Sequence, residues 1–446
     1  MRTEAEKRLL RENEFPHLPD GWRIERFRFL FRESKERNGR APVGDMLSVS
    51  EYWGVTPRIY DHQEQRRTDE ELENYRVVRP GQLAVNTMWL NHLGLGVSDH
   101  LGHVSPAYAV YDIAERLDRR FVHHLLRSQL YLKVYLRYLY GIRPNSFQIK
   151  ADDWGSIPVV VPDLDTQKAI ADFLDKETAR IDQLIEKKQR LVELLGEKLA
   201  AEKVALVTRG LDPNATMSAH PVGWLHEAPA HWSVVRMASI FDEVDERGED
   251  GLPVLSVSIN WGISDRELGD EDRHRIVNQI ADRTAYKRVR PGDLAYNMMR
   301  AWQGAFGVSS LDGLVSPAYV VARPRQHIHS PYFEPLLRTP MCIEEFRRAS
   351  KGIADFRQRL YWEHFRQVKV VLPPIEEQEA IARRVAAQTQ AISSVVAPVE
   401  ASIDRLKEYR SALITAAVTG QIDVTRWGRT GEGDKRLNQI QQEMAG

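Results

Sequence analysis

The chain has 446 residues, with 62 Lys and Arg against 63 Asp and Glu, and one cysteine, Cys342. That length allows two to four domains, and a lone cysteine excludes both a disulfide framework and a multi-cysteine zinc site and fits a reducing compartment. A net charge of −1 argues against a uniformly basic, nucleic-acid-gripping surface but says nothing of local patches.

The opening segment, MRTEAEKRLLRENEF, is charged throughout and lacks the apolar stretch of a signal peptide. No run approaches the ~18 apolar residues of a membrane helix, so a soluble, cytoplasmic chain without a membrane partner is expected. MLSVS (46–50) is a short strand candidate, and RPGQLAVN (79–86) places a Pro-Gly turn before a strand. HVSPAYAV (103–110) reads as a further strand with an edge or bulged proline, because proline donates no ladder hydrogen bond. From Arg119 to Tyr140, apolar residues at i, i+3 and i+4 predict a helix. From Asp165 to about Thr208 there is no proline and one glycine, Gly196. Here Ile170, Leu174, Ile181, Leu184, Leu191 and Leu195 mark a heptad seam broken by Glu177 and Lys188. Such a helix spans about 65 Å at 1.5 Å per residue. Asp165 and Thr166 suit its first turn.

The chain then repeats itself. At a shift of 211 residues, Arg79-Pro80-Gly81 meets Arg290-Pro291-Gly292, and Val104 to Tyr108 meets Val315 to Tyr319, giving VSPAY twice. The same shift matches Gln167 with Gln378 and Val207-Thr208 with Val418-Thr419, while LSVSEYWG (47–54) matches LSVSINWG (255–262) at 208. The period is too long for a solenoid. It describes a duplicated unit, one globular domain followed by one long helix. The second seam runs through Ile381, Val385, Ile392, Val395, Val399, Ile403, Leu406 and Leu413, with Pro398 inside it as an expected kink. One amphipathic helix of this length cannot bury its own stripe, so the two are expected to pair.

The expected fold is α+β: two tandem, pseudo-two-fold-related globular α/β domains joined by two long antiparallel coiled-coil helices. The boundaries are a first globular domain (1–163), first helix (164–210), linker (211–228), second globular domain (229–374), second helix (375–424) and a flexible C-terminal tail (425–446). No methyltransferase, Walker A or HExxH pattern is present, and PDLDTQK (162–168), which has a superficial nuclease look, is not matched by its counterpart PPIEEQE. The residues the copies share are mostly Pro, Gly, Ala, Leu and Val, which are architectural. No catalytic residue, metal site or cofactor is therefore expected.

The copies differ in their loops: TMWLNHLGL (87–95) against MMRAWQGAF (298–306), and RPNSFQIKADDW (143–154) against ADFRQRLYWEHF (354–365). Residues 115–150 hold eight Arg or Lys against two acids, and residues 323–369 hold ten against five.

Two variable domains, each followed by a long helix opened by a P-(D/P)-(L/I)-(D/E)-x-Q step, resemble the specificity (S) subunits of type I restriction-modification systems. VVLPPIEEQEAIARRV (370–385), RPGDLAYNMMRAWQGAFGVSS (290–310), LPVLSVSINWGIS (252–264) and LITAAVTGQIDV (413–424) carry the resemblance, with VVVPDLDTQKAIADFL (159–174) and ALVTRGLD (205–212) as first-copy equivalents. It covers nearly the whole chain. The resemblance implies a non-catalytic subunit that reads a split, asymmetric target in double-stranded DNA, one half per domain. It also implies that the helices set the gap between halves and dock two methyltransferase (M) subunits, with restriction (R) subunits in the full complex. Side chains in the variable stretches suit base edges, stacking and phosphates. The candidates are Trp89, Asn91, Arg143, Asn145 and Lys150 in the first domain, and Arg300, Trp302, Gln303, Lys351, Arg357 and Arg359 in the second. Arg127/Arg338 and Arg137/Arg348, shared by the copies, suit backbone contact or helix packing. The competing reading is a non-catalytic coiled-coil scaffold with two protein-interaction domains.

Overall fold

The computed structural model describes residues 8, 15, 17–60, 68–141, 148–248, 251–259, 262–264, 285–325, 327–352 and 358–442. The chain is α+β and divides into two units, Met1–Arg190 with Pro398–Gly446, and Leu191–Ala397. Among the described residues no helix is long and apolar enough to cross a membrane.

Each unit repeats one topology. In the first, strands Phe31–Glu33, Tyr108–Ile113, Leu83–Asn86 and Leu95–Val97 lie in that order, antiparallel throughout. In the second, Phe241–Val244, Tyr319–Pro324, Leu294–Asn297 and Phe306–Val308 do the same. Leu47, Val49, Val78, Ala84, Val104 and Val110 form an apolar layer in the first unit. Their aligned counterparts Leu255, Val257, Val289, Ala295, Val315 and Val321 form it in the second. The duplication is thus one of core positions. In each unit a strand pair leads into a long helix: Arg23–Arg26 pairs with Pro158–Val161, and Ser233–Arg236 with Lys369–Leu372.

The VSPAY motif differs from expectation. Val104 ends one strand, Tyr108 begins another in a different sheet, and Ser105 to Ala107 make the turn between them. Tyr108 N donates to Ser105 O at 3.0 Å, and Tyr319 N to Ser316 O at 2.9 Å. The lost ladder donor that makes proline poor in a strand is harmless in a turn. The helix expected over 119–140 is two, Arg119–Leu126 and Gln129–Tyr138. Its counterpart is also split, into Phe333–Leu337 and Pro340–Ala349, where Pro340 occupies the N-terminal turn as proline favours.

The long helices run Leu164–Arg209 and Ile375–Val418. Asp163 caps the first, accepting from Thr166 N at 2.9 Å. In the first unit Asp182 pairs with Arg410, and Asp165 to Ile170 line the same cleft as Gly420 to Thr425. Rising numbers on one helix therefore meet falling numbers on the other, an antiparallel arrangement. In the second unit Ala200 to Val204 share a cavity with Ala382 to Gln390, and Gly210 lies against Glu377, again antiparallel. Most of the predicted seam is buried: Ile170, Leu174, Ile181, Ile381, Val385, Val399, Ile403, Leu406 and Leu413. Leu184, Leu195 and Ile392 are half-buried, and Leu191 and Val395 are 43% and 47% exposed.

The second helix continues through Pro398, which has no N–H to offer the carbonyl four residues earlier, Ser394 O. The expected linker holds a hairpin, Met217–Val222 with Leu225–Pro229. The expected flexible tail instead forms two helices, Val424–Thr430 and Glu432–Gln442. Leu437 and Ile440 are buried, and the Trp427 ring meets Phe173 edge-on at 6.0 Å. A polar composition hid an apolar i, i+3 pair sufficient to dock a short helix.

Candidate nucleic-acid interface

The residues shared by the two copies build a frame for the loops that differ. Asn86 Oδ1 accepts from Met88 N at 3.2 Å and Asn297 Oδ1 from Met299 N at 3.0 Å, so each asparagine opens the turn that follows its strand. Asn86 Nδ2 also donates to the Tyr108 hydroxyl at 3.2 Å, tying that turn to the VSPAY corner. Burial, foremost, raises the Tyr108 and Tyr319 hydroxyl pKa values, so both phenols stay neutral donors.

Arg127 fastens two loops of the first unit. It donates to Ser50 O and Glu51 O at 3.2 and 2.6 Å, and to Leu93 O and Leu95 O at 3.3 and 2.5 Å. Burial, reinforced by Arg410, lowers its pKa to about 10. It remains charged at neutral pH because its donors point at carbonyls. Below it His123 Nδ1 accepts from Val97 N at 3.3 Å, and burial followed by the neighbouring Arg127 charge pushes its pKa well below the ordinary range. The second unit meets the same need differently. Glu334 accepts from Val308 N at 2.9 Å and pairs with Arg338 at 3.1 Å, while Arg338 donates to Ile259 O. Above each acceptor sits a glycine with positive φ, Gly54 at 74° and Gly262 at 67°. A Cβ there would stand 2.7 Å from the His123 ring and 2.4 Å from Glu334 Oε1, which explains the glycine repeated at this position.

Of the predicted residues, Trp89, Asn91, Arg300, Trp302 and Gln303 fall on the turns that these two asparagines open. Trp89 is 51% exposed, its ring 5.2 Å from that of His92. Asn91 is half-buried and its Oδ1 is enclosed, so it faces the protein. Lys150 is exposed, its ammonium 5.5 Å from the Tyr140 ring centroid. Arg143, Asn145 and Arg357 lie outside the described residues. In the second unit Arg300 Nε donates to Gln303 Oε1 at 3.2 Å, Trp302 Nε1 donates to Met299 O at 2.9 Å, and the Arg347 guanidinium lies 5.8 Å from the Trp302 ring. Lys351 and Arg359 are exposed partners in an antiparallel bridge, at the positions of Tyr140 and Gln148, which bridge likewise in the first unit. In the second unit the two variable stretches are neighbours, since Leu360 N donates to Met298 O at 2.9 Å; in the first, helix Gln129–Tyr138 packs on the turn Leu90–His92.

Part of the basic excess in the two windows is met by acids from elsewhere in the chain. Arg116 pairs with Glu25 at 2.7 Å, and Arg120 with Asp172 and Asp175 at 2.7 and 2.9 Å. Arg323 pairs with Asp293 at 2.9 Å and Arg325 with Asp242 at 2.8 Å. Local counting misses this because the partners are distant in sequence. Counting also misses Trp53, 62% exposed on a turn fastened by Arg127; its match with Trp261 marks it as shared, and shared residues read as architecture. Among the described residues no three His, Cys, Asp or Glu side chains gather as a metal site would require.

Gln167 and Gln378, buried and equivalent, lock the helix starts. Gln167 Nε2 donates to Pro162 O at 2.9 Å and its Oε1 accepts from Asp118 N at 2.8 Å. Gln378 repeats this with Pro373 O at 2.8 Å and His329 N at 3.0 Å. This is the physical content of the P-x-x-x-x-Q step.

The architecture defines a class: an α+β chain with two topologically equivalent units, variable loops on shared frames, and long antiparallel helices. Comparison with known proteins identifies the relatives. No family model matches the sequence. The type I restriction enzyme EcoBI specificity subunit of Escherichia coli is 24% identical over 330 residues, 69% of this chain and 66% of that protein. Among solved structures, a chain from a type I restriction-modification system, described for its complex assembly and conformational transition, matches with a TM-score of 0.62 at 16% identity, covering 91% of this chain and all of that one. The HsdS subunit of Thermoanaerobacter tengcongensis covers 91% of this chain and 99% of its own at 17% identity, with a TM-score of 0.42. The resemblance to type I specificity subunits read from the motifs is borne out.

Proposed function

We propose that the chain is the specificity subunit of a type I restriction-modification complex. It reads a bipartite, asymmetric target in double-stranded DNA, one half-site per unit, and carries no active site of its own. The observation that carries this is the pairing of equivalent frames with unlike loops in a chain similar to the EcoBI specificity subunit. Trp89, Lys150 and the added Trp53 are the contact residues of the first unit; Arg300, Trp302, Gln303, Lys351 and Arg359 are those of the second. Asn91 supports its loop from inside. Leu191, Leu194 and Val395, 43%, 46% and 47% exposed, supply apolar surface on the helices for methyltransferase subunits, since apolar residues on a helix face favour a covering partner. Restriction subunits join in the full complex.

The ion pairs that occupy part of the basic charge favour the alternative of a coiled-coil scaffold with two protein-interaction domains. One experiment separates them. The chain is co-expressed with a type I adenine methyltransferase subunit and the methylated motifs are sequenced, with residues 1–163 either native or replaced by those of another specificity subunit. The DNA-reading function predicts a split motif in which the exchange alters one half alone. A scaffold yields no split motif.

A further inference from the structure

In the first unit the loop fastened by Arg127 is also tied directly to both long helices. Asp182, on the first helix, accepts two bonds from the Arg410 guanidinium of the second, at 2.9 and 3.2 Å. The Tyr52 hydroxyl, on the loop, donates to the same carboxylate. Arg410 also lies over the Tyr52 ring, 4.6 Å from its centroid. The three groups satisfy one another: a bidentate ion pair, a phenol donating to the carboxylate, and a cation on a π face. Asp182 and Arg410 are both largely withdrawn from solvent, where such contacts hold geometry better than at the surface. Tyr52 is flanked by Glu51, whose carbonyl Arg127 holds at 2.6 Å, and by exposed Trp53, whose ring meets Tyr52 at 4.8 Å. The reading loop therefore cannot shift along the helices without breaking the cluster.

The second unit's sequence does not repeat these three residues. The aligned positions carry Asn260 for Tyr52, Ser393 for Asp182 and Leu199 for Arg410, none of them charged. Its frame keeps the arginine clasp, through Arg338, without an ion pair at the positions that bind the first unit's loop to the helices.

We propose that Tyr52, Asp182 and Arg410 are positioning residues that fix the first unit's reading loops relative to the helices and so set how strictly the gap between half-sites is enforced. This rests on the DNA-reading function above and deepens it. The half-site sequence is read by the loops; the cluster governs where along the duplex that reading occurs.

The test uses the chain in complex with its methyltransferase subunits and a plasmid library in which the recognised motif has its native gap or a gap one base pair shorter or longer. The variants are Tyr52→Phe, which removes one hydroxyl and keeps the ring, and the double change Asp182→Ser with Arg410→Leu, which installs the second unit's residues. The readout is the ratio of off-gap to native-gap methylation, which a uniform loss of folded protein leaves unchanged. The double variant is expected to raise that ratio by about tenfold, the scale of one lost charge-assisted contact, with both half-site sequences unchanged and Tyr52→Phe in between. A ratio that stays at the native value in both variants overturns the proposal, as does a change in the first half-site's sequence in place of its spacing. If the double variant fails to fold, Tyr52→Phe alone decides. A wild-type methylome without any split motif overturns this proposal and the function beneath it together.

Discussion

The two units solve one problem with different chemistry. Beneath each Trp-Gly turn a strand amide, Val97 N or Val308 N, needs an acceptor. The first unit supplies the ring nitrogen of a neutral histidine, His123, and leaves Arg127 to bind four carbonyls without a carboxylate. The second supplies Glu334, which also pairs with Arg338. What the duplication preserves is the hydrogen bond, and the residue that makes it has drifted.

The largest effect expected from this comparison lies at the clasp. Arg127→Met abandons carbonyls on two loops and should destabilise the chain by about 3 kcal/mol. Arg338→Met, whose clasp reaches Ile259 O and whose partner Glu334 keeps its amide contact, should cost about 2 kcal/mol; urea titrations of both rank them, and the reverse order breaks the comparison. Next come the strand glycines. A Cβ on Gly307 would lie 2.5 Å from the Ile263 backbone nitrogen, whereas on Gly96 its nearest neighbour is 3.2 Å away. Gly307→Ala should cost about 3 kcal/mol and Gly96→Ala about 1 kcal/mol, measured the same way.

Acid sensitivity is the third difference. The folded-state pKa of His123 lies well below its ordinary 6.5, so the unfolded chain takes up a proton at a pH where the folded chain does not. The stability of neutral His123 is fully present above about pH 6.5 and falls by up to about 1.4 kcal/mol per pH unit below it. A melting series from pH 7.5 to 5 should show that slope, and His123→Glu should remove this contribution. The smallest effect is a gain: at pH 7.5, His123→Glu gives Arg127 the carboxylate that Arg338 already has, raising stability by about 1 kcal/mol.

Much of this was legible in the sequence because duplication gives every position a second reading. Aligned apolar pairs such as Leu47 with Leu255 and Val104 with Val315 locate both cores, and the heptad seams locate the antiparallel helices. The split of the helix at Arg127 was legible too, but only in the other copy, where Pro340 stands opposite Gln129 and favours the start of a new helix there. Long-range pairing was hidden. Arg120 looks like free positive charge until Asp172 and Asp175 come to meet it. The Tyr52–Asp182–Arg410 cluster joins residues 130 and 228 positions apart, and no local pattern announces it. Trp53 stands opposite a tryptophan in the other copy, and a shared frame can present a shared reader.

The division of the chain also orders its assembly. The second unit is a continuous stretch, Leu191–Ala397, whereas the first needs Pro398–Gly446 to return to Met1–Arg190. During synthesis the second unit can fold as soon as its last residue leaves the ribosome, but the earlier-made first unit must wait, its helix seam uncovered, until the distal segment arrives. Late closure of so long a loop carries the larger entropic penalty, which makes the nascent first unit the stage most open to proteolysis and to capture by chaperones.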